Sequence, residues 1–143
     1  LPAAMLAEHV PGSRIGRAKQ RWDGEVRLVA GCVPVRSCDG RLLLITSSSK
    51  PGWTIPKGGW EEDEEVEQAA ARECLEEAGV SGRMGPLLNT FDIQGKRTTC
   101  RWHVYALYTT RVHTRWPEQG LRQRCWFTPT EALALLQAPH LRA

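Results

Sequence analysis

The sequence predicts one α/β (α+β) domain, a strand-rich body packed by two helices. Three observations carry this. The chain has 143 residues, the size of a single compact domain, and 41% of them are hydrophobic, enough to build a core. Runs of β-branched and aromatic residues bounded by turn formers recur from Val26 to Thr128. Only two internal stretches carry both helical composition and end signals. A charged fraction of 24% excludes a mainly disordered chain. No run of 18 apolar residues exists, so no membrane-spanning helix is expected.

Residues 1–25 read as an N-terminal arm interrupted by Pro2, Pro11, Gly12, Gly16 and Gly24, with a short helix near Ala3–His9. The domain proper is expected over 26–143. Val26–Val35 is β-branched and reads as a strand; Ser37-Cys38-Asp39-Gly40 is a turn; Arg41–Thr46 is the returning strand, so 26–46 is a hairpin. Ser47–Gly52 is a polar loop carrying Lys50, followed by an extended Trp53–Pro56. Pro56-Lys57-Gly58-Gly59 predicts a tight turn in which glycine lets backbone approach a ligand. The principal helix is expected over Asp63–Ala78, with acids in its first turn and Gly79 as its stop. Gly85-Pro86 reads as part of an exposed loop, a place where a prolyl isomerase could act. Strands are expected over Leu87–Ile93 and Thr99–Val112, with Gly95-Lys96-Arg97 as a basic turn between them. Arg124–Thr128 is the last strand, and Thr130–Gln137 a terminal helix capped by Thr128 or Thr130.

Five cysteines, an odd number with no Cys-x-x-Cys, argue against a zinc ribbon and for reduced, mostly buried thiols. Composition therefore suggests the cytoplasm or nucleus. The chain begins Leu1-Pro2, which reads as a processed or trimmed product.

Charge is divided sharply. Net charge is +3, yet 9 of the 16 acids lie between Glu61 and Glu77, with Arg72 the one base among them. The remainder holds 18 bases and 7 acids. A basic body suits polyanions and an acidic island suits divalent cations. On the helix, Glu73, Glu76 and Glu77 follow i, i+3, i+4 spacing and project from one side, while Ala70, Ala71, Cys74, Leu75 and Ala78 gather on roughly the opposite side, toward the core. Three close like charges repel one another. Either a hard cation offsets this, or the face is simply solvated; spacing alone leaves both open.

The segment Gly58, five residues, Glu64, seven residues, then Arg72-Glu73-Cys74-Leu75-Glu76-Glu77-Ala78-Gly79-Val80 resembles the Nudix box at every fixed position over 23 residues. Val29–Pro34, Ser47-Ser48-Ser49-Lys50, Trp53–Pro56 and Cys125-Trp126-Phe127 are similar to the diphosphoinositol and diadenosine polyphosphate hydrolase branch of that family. Lys57-Gly58-Gly59-Trp60 departs from the animal members, which usually carry glycine at the Lys57 position. It is closer to plant, fungal and oomycete members, with a weaker likeness to secreted oomycete effectors, which would act inside a host cell.

The resemblance implies a Nudix α/β/α sandwich with a mixed β-sheet, and two or three Mg2+ or Mn2+ ions on the box helix. Carried residue by residue, it makes Glu73 and Glu77 metal ligands, Glu76 a ligand or the general base, and the carbonyl of Gly58 or Lys57 a further ligand. Glu64 and Arg72 become a structural brace. Arg27, Lys50, Lys57, Lys96, Arg97 and Arg124 are the candidate substrate-binding cations, Lys50 and Lys57 first because they flank the box. Trp60 could cover a substrate ring or simply pack. His103 and His113 read as satisfied or surface histidines. The implied reaction is metal-dependent hydrolysis of a phosphoanhydride in a small molecule, either a diphosphoinositol polyphosphate or a dinucleoside polyphosphate. Alternatives are ADP-ribose or NADH hydrolysis, a non-catalytic binding module, and a nucleic-acid binder; no nucleic-acid motif supports the last.

Overall fold

The computed structural model describes residues 18–137. Eight strands form one mixed sheet: β1 (Trp22–Asp23), β2 (Val26–Arg36), β3 (Arg41–Thr46), β4 (Trp53–Thr54), β5 (Lys57–Gly59), β6 (Val80–Gln94), β7 (Thr99–Val112) and β8 (Arg124–Phe127). Two helices, α1 (Val66–Ala78) and α2 (Pro129–Leu136), complete the domain.

The sheet runs β4-β3-β2-β7-β6. Strands β2 and β7 pair in parallel over Arg27–Val35; the other pairings are antiparallel. The other edge of β2 takes β1, β5 and β3 in succession. Side chains alternate across a strand, so the sheet feeds two cores. Leu43 and Ile45 join Ala30, Cys32, Tyr105 and Leu107 under α1, whose Ala69, Ala70, Cys74 and Ala78 are fully buried. Leu44 joins Val104 and Ile55 under Ala132 of α2 on the opposite face. Small residues on α1 let the helix lie close to the sheet, and the result is the expected α/β/α sandwich with a mixed sheet.

Several local expectations are corrected. Helix α1 begins at Val66, not Asp63: the Glu65 N–H donates to Gln68 Oε1 (2.8 Å), so Asp63 and Glu64 precede the helix and only Glu67 lies in its first turn. Its end is as expected, with Gly79 at φ 68° donating to the Leu75 carbonyl (3.1 Å). Lys57–Gly59 is a short strand on β2 rather than a tight turn. Gly85-Pro86 lies inside β6, at a register shift between Met84 and Leu87, so the loop on which the prolyl isomerase reading rested does not exist. Thr128 is the cap of α2, accepting from the Glu131 N–H (3.2 Å). Of the cysteines, Cys32 and Cys74 are buried, Cys38 and Cys125 exposed, and all five are free.

The described end of the arm belongs to the sheet, since Trp22–Asp23 pairs with β2 and Gln20 bridges Glu61. The short helix expected near Ala3–His9 lies outside the described residues. Among the described residues no helix is long and apolar enough to cross a membrane.

Candidate metal and active site

Three of the four glutamates of α1 are buried, Glu67 being exposed, which corrects the expectation of a face turned from the core. Glu73, Glu76 and Glu77 expose 7%, 7% and 8% of their surface, whereas Ala71 is exposed and Leu75 half-buried. Two elements cover them. Strand β5 lies against Glu73 and Glu77, and the segment before β8 reaches Glu76 and Glu77 through Glu118 and Arg122.

Arg72 is the hub of one half. It grips Glu64 with two hydrogen bonds, Nε to Oε2 at 2.6 Å and Nη2 to Oε1 at 2.9 Å. It also donates to Glu73 Oε2 (2.9 Å) and the Gly59 carbonyl (2.9 Å), and lies 3.5 Å from Glu76 Oε1. Glu64 Oε1 further accepts from the Glu61 N–H (3.1 Å). Burial works against the Arg72 charge, but the Glu64 hydrogen bonds and the neighbouring carboxylates outweigh it and raise its pKa. The bidentate pair ties the loop before α1 to the helix and to β5.

Arg122 is the hub of the other half. It donates to Glu77 Oε2 (3.3 Å), Glu118 Oε1 (2.9 Å) and the Thr46 carbonyl (3.1 Å). The second oxygen of Glu77 accepts from the Lys57 N–H at 2.9 Å. Among the described residues, the carboxylates of Glu64, Glu73 and Glu76 gather on Arg72 and those of Glu77 and Glu118 on Arg122. Two of these carboxyls are raised, above all by burial. Burial, with repulsion from Glu77 and Glu76 and against the pull of Arg72, pushes Glu73 up to about 8. Burial, opposed by Arg122 and Lys57, pushes Glu77 up to about 7.

Hard carboxylate oxygens gathered in a desolvated place are the donor set that suits Mg2+ or Mn2+. Gly58 fits the same reading. A Cβ there would lie 2.3–2.4 Å from the Glu73 carboxylate, so only glycine lets backbone and carboxylate approach this closely. Glu73 thus abuts the Gly58 backbone and is joined to Glu76 through Arg72, while the three carboxylates whose oxygens all lie within 4.8 Å of one another among the described residues are Glu61, Asp63 and Glu64, in the loop before α1.

The candidate cations divide. Lys50 and Lys57 line a groove of about 560 Å³ floored by Trp53, Ile55, Phe91 and Trp102, with Lys57 Nζ 5.2 Å from the centre of the Trp102 ring. Arg27 donates to Gln20 Oε1 (3.0 Å) beside Gly59. Lys96 and Arg97 are exposed on the β6–β7 turn and do not line the groove. Arg124 caps α1, donating to the carbonyls of Ala78 (3.0 Å), Gly79 (3.2 Å) and His113 (2.7 Å) with its guanidinium over Trp116; this is a helix-end cation rather than a groove residue. Trp60 packs on the α1 core and donates Nε1 to the Glu64 carbonyl (2.9 Å). His103 Nδ1 donates to the Val29 carbonyl (3.1 Å), and His113 Nε2 pairs with Ser81 Oγ (3.0 Å), so both histidines are satisfied locally.

Sequence reasoning missed Arg122, the aromatic floor and Gln20. Buried Gln20 donates to the Leu28 carbonyl (2.8 Å) behind Gly59. Arg122 sits 45 residues from Glu77 in a segment without pattern, and no local signal marks it. The alternation of Trp102 and Val104 along β7 was the available signal for the floor.

A family model described as the NUDIX domain matches residues 25–143. Nudix hydrolase 16, mitochondrial, of Arabidopsis thaliana is 39% identical, over 91% of this chain and 83% of its own. Diphosphoinositol polyphosphate phosphohydrolase 2 of Rattus norvegicus is 40% identical, over 76% of this chain and 62% of its own. Among solved structures, a NUDIX hydrolase from Nitrosomonas europaea superposes with a TM-score of 0.68 at 21% identity, covering 82% of this chain and 84% of its own, a likeness of fold.

Proposed function

The chain belongs to the Nudix family of hydrolases, and on that premise we propose that it is a pyrophosphohydrolase that uses Mg2+ or Mn2+ to cleave a phosphoanhydride in a small polyphosphate. One observation carries the reading: Glu73, Glu76 and Glu77 are buried together on α1 around Arg72 and Arg122, with the Glu73 carboxylate against the Gly58 backbone.

Glu73 and Glu77 would hold two or three such ions, with the Gly58 or Lys57 carbonyl. When bound, the ions would offset phosphate charge and acidify a coordinated water. The protein's own residues do the rest. Glu76, a ligand or the general base, would in the latter role accept the proton of the attacking water. The Glu64–Arg72 pair fixes the helix against β5, and Arg122 with the Lys57 N–H orients Glu77. Lys50 and Lys57, which line the groove, would meet the substrate's phosphates.

The substrates in view are dinucleoside polyphosphates and diphosphoinositol polyphosphates, the latter the compounds named in the rat relative. ADP-ribose or NADH is the second reading, and a binding-only module is disfavoured because no box carboxylate is missing. The test is a substrate panel with Mg2+, Mn2+ or chelator, read by phosphate release and product mass. Metal-dependent release of a phosphate product supports the proposal; no turnover on any phosphoanhydride with either metal overturns it.

A further inference from the structure

The loop that carries Glu64 is fastened by a segment lying ahead of residues 25–143, the part matched by the family model. The β1–β2 hairpin, turned at Gly24 with φ 61°, brings Lys19, Gln20 and Arg21 back alongside Trp60–Glu64. The Arg21 N–H donates to the Trp60 carbonyl (2.9 Å), the Trp60 N–H to the Leu28 carbonyl (3.0 Å) and the Leu28 N–H to the Arg21 carbonyl (3.1 Å), a closed ring of three backbone bonds. The Glu62 N–H donates to the Lys19 carbonyl (2.7 Å). Buried Gln20 bridges Glu61 and adds its side-chain amide to the carbonyls of Leu28 (2.8 Å) and Trp60 (3.3 Å).

The Arg21 side chain gives this loop its shape. Its guanidinium lies 4.5 Å from the centre of the Trp60 ring. Its Nη2 donates to the carbonyls of Glu62 (2.8 Å) and Glu64 (3.2 Å) and reaches that of Glu61 at 3.4 Å. Carbonyl oxygens that converge in this way repel one another unless a donor lies among them, and a flat guanidinium can stack and donate at once, which an ammonium cannot. The Glu64 carbonyl also accepts from Trp60 Nε1 (2.9 Å), so ring and guanidinium together fix the Glu64 backbone. The Glu64 carboxylate then takes Arg72 through two bonds, and Arg72 passes the constraint to Glu73 Oε2. One line of contacts therefore runs from Arg21 through the loop, Glu64 and Arg72 to Glu73.

Taking the Nudix reading as its basis, we infer that Arg21 is a positioning residue for the hydrolysis: it holds Trp60–Glu64 in the shape through which Glu64 and Arg72 set Glu73. A small displacement of a group that holds metal or substrate is costly to turnover, so the effect reaches the reaction although Arg21 itself touches no reacting atom.

A double-mutant cycle tests it. Steady-state kcat and KM with Mg2+ on the best substrate of the panel, Mn2+ affinity by calorimetry, and Tm are measured for Arg21→Ala, Arg21→Lys, Glu64→Gln and the Arg21→Ala, Glu64→Gln double variant. Arg21→Ala should lower kcat about 10-fold or more and weaken Mn2+ binding several-fold, while KM stays within about threefold. Arg21→Lys keeps the charge but loses the stack and the fork, and should recover only a minor part of kcat. In the Glu64→Gln background the same Arg21→Ala change should cost less than about threefold, because the line is already broken at Glu64. Should Arg21→Ala fail to fold, Arg21→Lys carries the cycle. Equal losses in the two backgrounds, full rescue by lysine, or a rise in KM at unchanged kcat overturns the positioning role and leaves the hydrolase reading standing. If the wild type turns over no phosphoanhydride, the hydrolase reading falls, and Mn2+ affinity unchanged by Arg21→Ala then overturns the positioning role as well.

Discussion

The backbone N–H of Lys57 donates to Oε1 of Glu77 at 2.9 Å, while the Lys57 side chain turns to the other side and sets its ammonium 5.2 Å from the Trp102 ring centre. A single residue of β5 therefore belongs both to the carboxylate cluster and to the groove. Gly31 makes this possible, because a Cβ there would lie 2.5 Å from the Lys57 Cβ. Any shift of β5 moves the Gly58–Glu73 contact and the groove cation together, so the strand's seating on β2 governs both regions.

Gly58→Ala tests that seating. The added methyl would fall 2.3 Å from the Glu73 carboxyl carbon, the far end of a flexible side chain. Glu73 can swing away, so folding survives, but the cluster loses its shape. Mn2+ affinity, measured by calorimetry, should fall at least about tenfold, with a Tm change of only a few degrees. Unchanged Mn2+ affinity would remove Gly58 from the site.

Glu64→Gln should harm stability first. Glu64 accepts both Arg72 hydrogen bonds and the Glu61 N–H in a place 9% exposed. Losing the charge removes the bidentate partner of Arg72, which keeps Glu73, Glu76 and the Gly59 carbonyl, at a cost of about 1–3 kcal/mol. Tm should drop in metal-free protein, and kcat should fall with it. A wild-type Tm together with collapsed metal affinity would make Glu64 a ligand instead of a brace.

The raised carboxylates set a pH dependence. Glu73 and Glu77 protonate near 8 and 7 in the metal-free fold, against 4.5 for the free side chain. Between pH 4.5 and about 8 these two carboxyls hold more protons in the folded chain than in the unfolded one, so their contribution to metal-free stability falls as pH rises through that window, while the lowered His113 acts in the opposite sense. Mg2+ or Mn2+ binds the ionised forms, so the metal-induced rise in Tm should be larger at about pH 8 than at about pH 5.5. A metal effect that is flat or reversed across this range contradicts the assignment.

Lys50→Ala and Lys57→Ala should separate substrates by phosphate number. Each lysine–phosphate contact contributes roughly 1.5–3 kcal/mol. A dinucleoside polyphosphate offers more such contacts than ADP-ribose while keeping a base. Each variant should therefore lose about 10-fold or more in kcat/KM on the former and distinctly less on the latter. Equal losses would place the lysines outside phosphate recognition.

Much of this was legible in the residues. The hairpin of β2 and β3, the long β7, the Thr128 cap and the Gly79 stop carry local signals, and the structure has them at nearly the expected residues. The box pattern brought Gly58, Glu64, Arg72, Glu73, Glu76 and Glu77 forward as a set, and the structure gathers them. What was not legible is tertiary. A helical face built of glutamates reads as solvated, yet β5 and the segment around Glu118 and Arg122 cover it, and their approach is encoded by no local pattern. Arg124 looked like a substrate cation because charge is visible in sequence, whereas the carbonyls of Ala78 and His113 that occupy it are not. Lys57–Gly59 looked like a turn because two glycines usually make one; pairing with Val29–Gly31 overrode that preference.

The central claim is that the buried glutamates of α1 hold metal and drive hydrolysis, and turnover of Glu76→Gln and Glu77→Gln tests it most directly. The measurement is kcat with Mg2+ on the best substrate of the panel, with Mn2+ affinity read in parallel on the same preparations. Each substitution is nearly isosteric and removes one of the repelling buried charges, so both proteins should fold with a Tm at or above that of the metal-free wild type. The account predicts that kcat falls at least about 100-fold in each, and that Glu77→Gln also weakens Mn2+ binding. Folded variants that turn over at near wild-type rates would contradict it.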